Sequence, residues 1–108
     1  MKNKIIAVDF DGTLCENGYY PEAGPPIVEV INRLKMEAAA GAKIILWTCR
    51  IGEALDFAVA WCHRYGIPLD AVNENLPECL AEWNYVDNRK VFAHEYWDDK
   101  AVNVEDLK

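Results

Sequence analysis

Two aspartates separated by one residue follow the first apolar segment of this 108-residue sequence. The run Ile5-Ile6-Ala7-Val8 is rich in β-branched residues and is typical of a strand buried on both faces. Asp9 and Asp11 come directly after it, and their i, i+2 spacing places both carboxylates on the same side of the strand. Phe10, between them, turns toward the core. The end of this strand is therefore a candidate site for carboxylate chemistry.

Polar residues follow three later apolar runs in the same way. They are Thr48 and Arg50 after the run 42–47, Asn73 and Asn75 after 67–72, and Asp98 and Asp99 after 91–97. In an open parallel sheet the carboxyl ends of the strands lie along one edge, and ligands bind there. The sequence therefore predicts that residues distant along the chain meet in one crevice.

The carboxylates of this crevice predict a metal site. Neighbouring carboxylates repel each other and raise each other's pKa unless a cation intervenes. They also offer hard oxygen ligands, a donor set that favours Mg²⁺ together with water and a phosphate oxygen: Asp9, Asp11, Asp98 and Asp99.

Four further residues could hold the phosphate group that such a metal accompanies. Lys90 and Arg50 are the cations available to balance the remaining phosphate charge. Thr48 offers a hydroxyl donor. Gly12 lets the backbone approach a ligand closely and leaves amides free.

The elements that must position these residues alternate between strand and helix. Besides the four strands, the pattern predicts helices from Pro25 or Pro26 to Gly41, from Gly52 to Tyr65, and over 77–84. One or two helical turns are expected in the tail 100–108. With right-handed crossovers, this order predicts one α/β domain over residues 1–108. We expect a three-layer, Rossmann-like, doubly wound parallel sheet with helices on both faces.

Composition and charge narrow the classes of partner. Hydrophobic residues make up 52% of the chain and charged residues 27%, which is normal for a globular domain. The net charge of -7 argues against nucleic acid as a partner and against docking on anionic lipid. The first apolar run is too short for a membrane span or signal peptide, and the four cysteines form no C-x-x-C pair. These features predict a cytoplasmic protein with reduced thiols and no membrane partner.

The segment Asp9-Phe10-Asp11-Gly12-Thr13-Leu14 matches the D-x-D-G-T-L signature of the haloacid dehalogenase (HAD) superfamily of phosphohydrolases. Further motifs of the superfamily follow in the same order: Thr48 after a hydrophobic strand, Lys90, and the pair Asp98-Asp99. The sequence thus resembles this superfamily over residues 5–99.

The resemblance implies a Mg²⁺-dependent phosphatase. Asp9 would be the nucleophile and form an aspartyl-phosphate, and Asp11 would first protonate the leaving oxygen and then activate water. Mg²⁺ would bind Asp9, the backbone carbonyl of Asp11, and the Asp98-Asp99 pair. Asp99 is favoured as the direct ligand, although the sequence leaves the choice within the pair open.

The resemblance also assigns the phosphate contacts. Thr48 and Lys90 would bind the transferring phosphoryl group. Lys90 lies only eight residues before Asp98, an arrangement similar to small members of the superfamily without a cap domain. Thr48-x-Arg50 looks like a T/S-x-R variant found in polynucleotide phosphatases and others, in which the arginine adds a bidentate phosphate contact.

The short connections between motifs leave no room for a cap domain, which in this superfamily largely selects the substrate. The site is therefore expected to be open, unless Tyr19 and Tyr20 or a second subunit of a homo-oligomer cover it. We expect a small phosphorylated metabolite, such as a phosphosugar or nucleotide, as substrate. Asn73 and Asn75 are candidates for binding its hydroxyls, although the turn interpretation is favoured for both.

Three alternative functions stay open. A polynucleotide-end phosphatase would fit the Thr48-x-Arg50 pattern. A phosphoacceptor domain of the response-regulator type has a similar set of residues, but its acceptor aspartate ends strand three, where this chain has Asn73. A catalytically idle binding module is disfavoured because both essential aspartates are present.

Overall fold

Four short strands pair in parallel in one sheet, in the order 71–72, 43–46, 5–8 and 95–97. The computed structural model of the protein describes residues 3–82 and 84–108. The strands are β1 (Ile5–Val8), β2 (Lys43–Leu46), β3 (Ala71–Val72) and β4 (Glu95–Trp97). The helices are α1 (Val28–Ala39), α2 (Gly52–Arg64) and α3 (Pro77–Glu82), and a 3₁₀ helix (Val104–Leu107) follows. The third helix is predicted over 77–84; α3 ends at Glu82, residue 83 lies outside the described residues, and Asn84 lies in a turn.

The core has two halves, one on each face of the sheet. On one face, Ile6 and Val8 of β1 belong to a cluster with Leu34 of α1 and Trp61 of α2. On the other face, side chains of β1 and β2 pack with Cys79 of α3. Because β1 is buried on both faces, it carries the continuous apolar run expected of a central parallel strand. The structure thus confirms the three-layer, Rossmann-like α/β fold.

The direction in which successive strands are added to the sheet reverses at β1. The chain runs outward from β1 to β2 and β3, and then returns through α3 to β4 on the opposite side of β1. Ligands of doubly wound sheets bind where the strand order reverses, beyond the carboxyl ends of the strands. The loops after β1, β2 and β4 therefore surround the expected site.

Two strands are shorter than the apolar runs predict, because side chains take the hydrogen bonds that the strands would use. The Tyr96 hydroxyl donates to the Val91 carbonyl and accepts from the Ala93 amide, so residues 91–93 stay outside β4. Before β3, the Asp70 carboxylate accepts from the Ile44 amide at 2.8 Å. The buried residues of these segments contribute to the core without joining the sheet.

Helix α1 begins at Val28, later than Pro25 or Pro26. The backbone before it forms a small ribbon with the loop after β1, in which the Glu16 amide donates to Pro25 and the Ile27 amide donates to Leu14. Gly41 ends the helix as predicted, with a φ of 106° that favours glycine. No described helix combines the length and the apolar character needed to cross a lipid bilayer.

Candidate active site

Three carboxylates meet at the end of β1 and β4. Asp9, Asp98 and Asp99 each place one carboxylate oxygen within 4.8 Å of the others. The pairing of the strands causes this, because Val8 lies opposite Trp97 and the Asp9 amide donates to the Trp97 carbonyl at 2.9 Å. The residue after each strand therefore falls beside the other, as the sequence pattern predicts.

The loop after β1 holds Asp99 in this cluster. The Thr13 hydroxyl accepts from the Asp99 amide at 3.2 Å, and the Asn17 side chain donates to the Asp99 carboxylate at 3.1 Å. Gly12 has a φ of 83°, and a Cβ there would collide with the Asp99 carboxylate. Asn17 is not among the predicted site residues, because its Asn-Gly pair indicates only a turn.

Gly12 is therefore required for a different reason from the one predicted. The space beside it is occupied by Asp99 rather than left for a phosphate. Its amide donates to the Cys15 carbonyl at 2.8 Å and is used within the turn. The expected phosphate contact of Gly12 does not fit this geometry, and its lack of a side chain instead lets Asp99 approach.

The surroundings of Asp9 disfavour its anionic form. Asp9 is half-buried, and this burial raises its pKa, as do the charges of Asp98, Asp11 and Asp99. The Phe10 amide donates to Asp9 Oδ1 at 2.8 Å and partly opposes the rise in pKa. Across residues 3–82 and 84–108, no lysine or arginine forms an ion pair with the three clustered carboxylates.

The cluster fits a hard divalent cation. All three donors are carboxylate oxygens, they come from two strand ends, and they lie close enough to share one ion. Mg²⁺ binds through few carboxylates and keeps several waters, which this half-open arrangement leaves room for. Asp98 and Asp99 both face the group, so the preference for Asp99 as the direct ligand stays a prediction.

Asp11 lies apart from that cluster and is paired with Arg50. Arg50 Nε donates to Asp11 Oδ2 and Nη2 donates to Asp11 Oδ1, both at 2.8 Å. The Arg50 side chain is 2% exposed and that of Asp11 is 28% exposed. This hydrogen-bonded pairing raises the pKa of Arg50. The Asp11 carboxylate is thus not among the clustered ligands.

This structure leaves no Arg50 donor free for the expected phosphate contact, because all its N–H groups are used inside the protein. Besides the pair with Asp11, its guanidinium donates to the carbonyls of Pro21, Glu22 and Ala54. A guanidinium has five N–H groups, and these contacts account for each of them. The sequence pattern could not distinguish this role, since both roles need an arginine two residues after Thr48.

A cavity of about 260 Å³ adjoins the cluster, lined by Asp9, Trp47, Thr48, Cys49 and Asp98. The Thr48 hydroxyl accepts from the Arg50 amide at 3.2 Å, so its own O–H stays available as a donor. The cavity brings Thr48 and Asp9 together as predicted from the strand ends. Neither Tyr19 nor Tyr20, both exposed, lines it.

Lys90 lies in a neighbouring cavity of about 490 Å³. Its Nζ is 5.7 Å from the centre of the Tyr96 ring, and Tyr96 in turn contacts Trp47, with ring centres 5.4 Å apart. The Trp47–Tyr96 contact thus joins the lining of this cavity to the lining of the Asp9 cavity. The structure does not place Lys90 in the cavity that holds Thr48, so its phosphate contact stays a prediction.

Asn73 and Asn75 act within the fold. Asn73 Oδ1 accepts from the Thr48 amide at 2.8 Å, which fixes the loop after β2. Asn75 is 2% exposed and binds Asp87 and the Phe92 amide. These contacts favour the turn interpretation over the reading of substrate hydroxyls.

Comparison with known proteins gives one informative match. A solved structure described as that of a conserved protein from Bacteroides thetaiotaomicron superposes with a TM-score of 0.80. Its sequence is 38% identical, and the match covers 94% of this chain and 79% of that one. No protein-family model and no curated protein matches the chain.

Proposed function

We propose that the chain, which belongs to the same family as the conserved protein from Bacteroides thetaiotaomicron, is a Mg²⁺-dependent phosphatase of the HAD type without a cap domain. One observation carries the proposal. The Asp9, Asp98 and Asp99 carboxylates meet beside a cavity that also contains the Thr48 hydroxyl. Such a set combines a cation site, a carboxylate nucleophile and a hydrogen-bond donor for a phosphate oxygen. All three lie where the strand order of the sheet reverses.

In the first step Asp9 acts as the nucleophile. Its Oδ1 accepts from the Phe10 amide, and Asp9 lines the cavity. A bond forms between Asp9 and phosphorus while the ester P–O bond breaks, and the leaving oxygen takes a proton from Asp11. Bound Mg²⁺ would supply positive charge against the phosphoryl oxygens and relieve repulsion among the carboxylates.

In the second step Asp11 acts as a general base. It takes a proton from water, the water oxygen attacks phosphorus, and the bond to Asp9 breaks to release inorganic phosphate. The Thr48 O–H donates to a phosphoryl oxygen in both steps, where a fixed donor is most effective against developing charge. Splitting the reaction in this way replaces one difficult displacement by two easier ones.

A small phosphorylated metabolite fits the site better than a polynucleotide end. The cavity beside Asp9 has about 260 Å³, and the chain carries a net charge of -7. The argument for a polynucleotide came from Arg50 as a bidentate phosphate ligand, and Arg50 is bound to Asp11 and to carbonyls instead. A phosphosugar or nucleotide therefore stays the preferred substrate class.

The test is hydrolysis of p-nitrophenyl phosphate with and without Mg²⁺. We expect Mg²⁺-dependent release of p-nitrophenol that falls on the order of 10⁴-fold or more in Asp9→Asn, because the nucleophile is lost. Asp56→Asn, an exposed position on α2, is the matched control and should keep the wild-type rate. Metal-independent turnover, or an undiminished rate in Asp9→Asn, would contradict the mechanism.

A further inference from the structure

Arg50 is a buried cation that joins three parts of the molecule. Its side chain is 2% exposed and lies between the end of β1, the loop around residues 21–22 and the first turn of α2. A buried guanidinium is costly unless its N–H groups are all satisfied. Here each N–H group has an acceptor, and the acceptors from three separate segments hold the guanidinium in one position.

The geometry fixes the guanidinium plane independently of Asp11. Carbonyl groups of Pro21, Glu22 and Ala54 accept from the two terminal nitrogens. The Phe10 ring lies 4.7 Å and the Tyr20 ring 5.2 Å from the central carbon of the guanidinium. Hydrogen bonds in the plane and rings against it leave Arg50 little freedom to rotate.

This rigid fork in turn fixes the carboxyl group of Asp11. The two parallel N–H···O contacts, both at 2.8 Å, define the position and the plane of the carboxylate. A carboxylate offers about four acceptor positions, and the fork uses two of them. The Asp11 side chain is 28% exposed, so a bound substrate can reach the carboxyl group.

We propose that Arg50 is a positioning residue that holds the Asp11 carboxyl group in place for proton transfer to the leaving oxygen. This inference rests on the proposed function, in which Asp11 is the general acid. A lysine keeps the positive charge but cannot form the planar fork, so the substitution separates geometry from charge.

Leaving-group chemistry distinguishes this role from a purely structural one. When the ester P–O bond breaks, its electron pair stays on the leaving oxygen, and a basic leaving group needs the proton of Asp11 far more than a weakly basic one. Loss of a well-placed acid therefore penalises phenyl phosphate more than p-nitrophenyl phosphate, which has nearly the same shape. General damage to the site lowers both rates alike.

The experiment measures kcat/KM for a series of ring-substituted phenyl phosphates, from p-nitrophenyl to unsubstituted phenyl, in the Mg²⁺-loaded protein. This parameter reports steps up to formation of the phosphoenzyme, so it isolates the acid step. In Arg50→Lys we expect a loss on the order of 100-fold for phenyl phosphate and only a few-fold loss for p-nitrophenyl phosphate. Asp11→Asn should show the same steepened dependence, and Arg33→Lys, an exposed arginine on α1, should show none.

The outcomes separate the inference from the function it rests on. Without Mg²⁺-dependent activity in the wild type, the proposed function itself fails. If the wild type is active and Arg50→Lys slows all esters equally, only the positioning role is overturned. Circular dichroism checks folding; if neither Arg50→Lys nor Arg50→Gln folds, Arg50 is a structural residue and the positioning role is likewise overturned.

Discussion

The two aspartates that follow β1 lie two positions apart and meet opposite electrostatic surroundings. Asp11 is paired with the buried guanidinium of Arg50, whereas Asp9 lies among the carboxylates of Asp98 and Asp99. The chain thus supplies its own cation to one aspartate and only further negative charge to the other. The contrast indicates that Asp11 has its counter-ion within the protein, whereas the repulsion around Asp9 is relieved by protonation or, under the proposed function, by a bound cation.

The largest effect on stability is expected on the Asp11 side. Asp11→Ala leaves the Arg50 guanidinium buried without its ionic partner, which should lower the free energy of unfolding by about 3–5 kcal/mol. Urea denaturation measures this change. Asp56→Ala, at an exposed position of α2, should cost far less. An equal loss in both variants would show that the pair with Arg50 contributes nothing specific.

Added Mg²⁺ should stabilise the other side. At 100 times its dissociation constant, Mg²⁺ should raise the free energy of unfolding by about 2.7 kcal/mol, measured as a shift in the thermal or urea transition. The double variant Asp98→Asn, Asp99→Asn should lose this gain, because only one clustered carboxylate remains. Asp11→Asn should retain it. If the double variant is still stabilised by Mg²⁺, the ion binds at a site other than this cluster.

A smaller effect separates the two aspartates in the absence of metal. The pKa of Asp9 is raised in the folded protein by burial and then by neighbouring charge, so the folded state binds its proton more tightly than the unfolded state. The resulting stabilisation is present below the ordinary value of 3.8 and is lost as the pH rises through the raised value. At neutral pH the wild type holds Asp9 as a disfavoured anion, whereas the asparagine of Asp9→Asn is neutral. Without Mg²⁺, we therefore expect Asp9→Asn to have a higher free energy of unfolding than the wild type at neutral pH. Urea titrations at several pH values, with chelator present, measure the difference.

The smallest change in stability should come from breaking the ion pairs of Lys4 at the surface, which serve as a comparison for the buried Asp11–Arg50 pair. Lys4 forms ion pairs with Glu37 and Glu95, each at 2.9 Å, and lowers the pKa of both carboxyls. Their contribution is present above the ordinary value of 4.5 and is lost as the pH falls through the lowered values. Lys4→Met should therefore change stability little, and salt should reduce the difference further. A loss as large as that of Asp11→Ala would contradict the contrast between buried and exposed pairs.

The sequence predicts the frame of the site well, because periodicity and strand ends are local signals. The apolar run before Asp9 and the motif residues after it predict a central strand, and the parallel sheet then brings Asp98 and Asp99 beside it. This part needs only the pattern of buried residues and the topology rules for parallel sheets.

The orientation of individual side chains could not be predicted in the same way. Arg50 faces Asp11 because the irregular loop 16–24 presents carbonyls that complete its hydrogen bonds, and no periodic pattern encodes such a loop. The shortened β4 has a similar cause, since one hydroxyl, that of Tyr96, satisfies the backbone groups of residues 91–93. These contacts depend on tertiary structure rather than on local propensity.

The pairing of β1 with β4 determines when, during folding, the three clustered carboxylates come together. Asp99 and Thr13, which this pairing brings into contact, are 86 positions apart in the chain. Closing so long a loop costs more entropy than pairing β1 with β2, so β4 is expected to dock after the first part of the sheet has formed. If β4 docks after the rate-limiting step of folding, bound Mg²⁺ should slow unfolding and leave the folding rate almost unchanged.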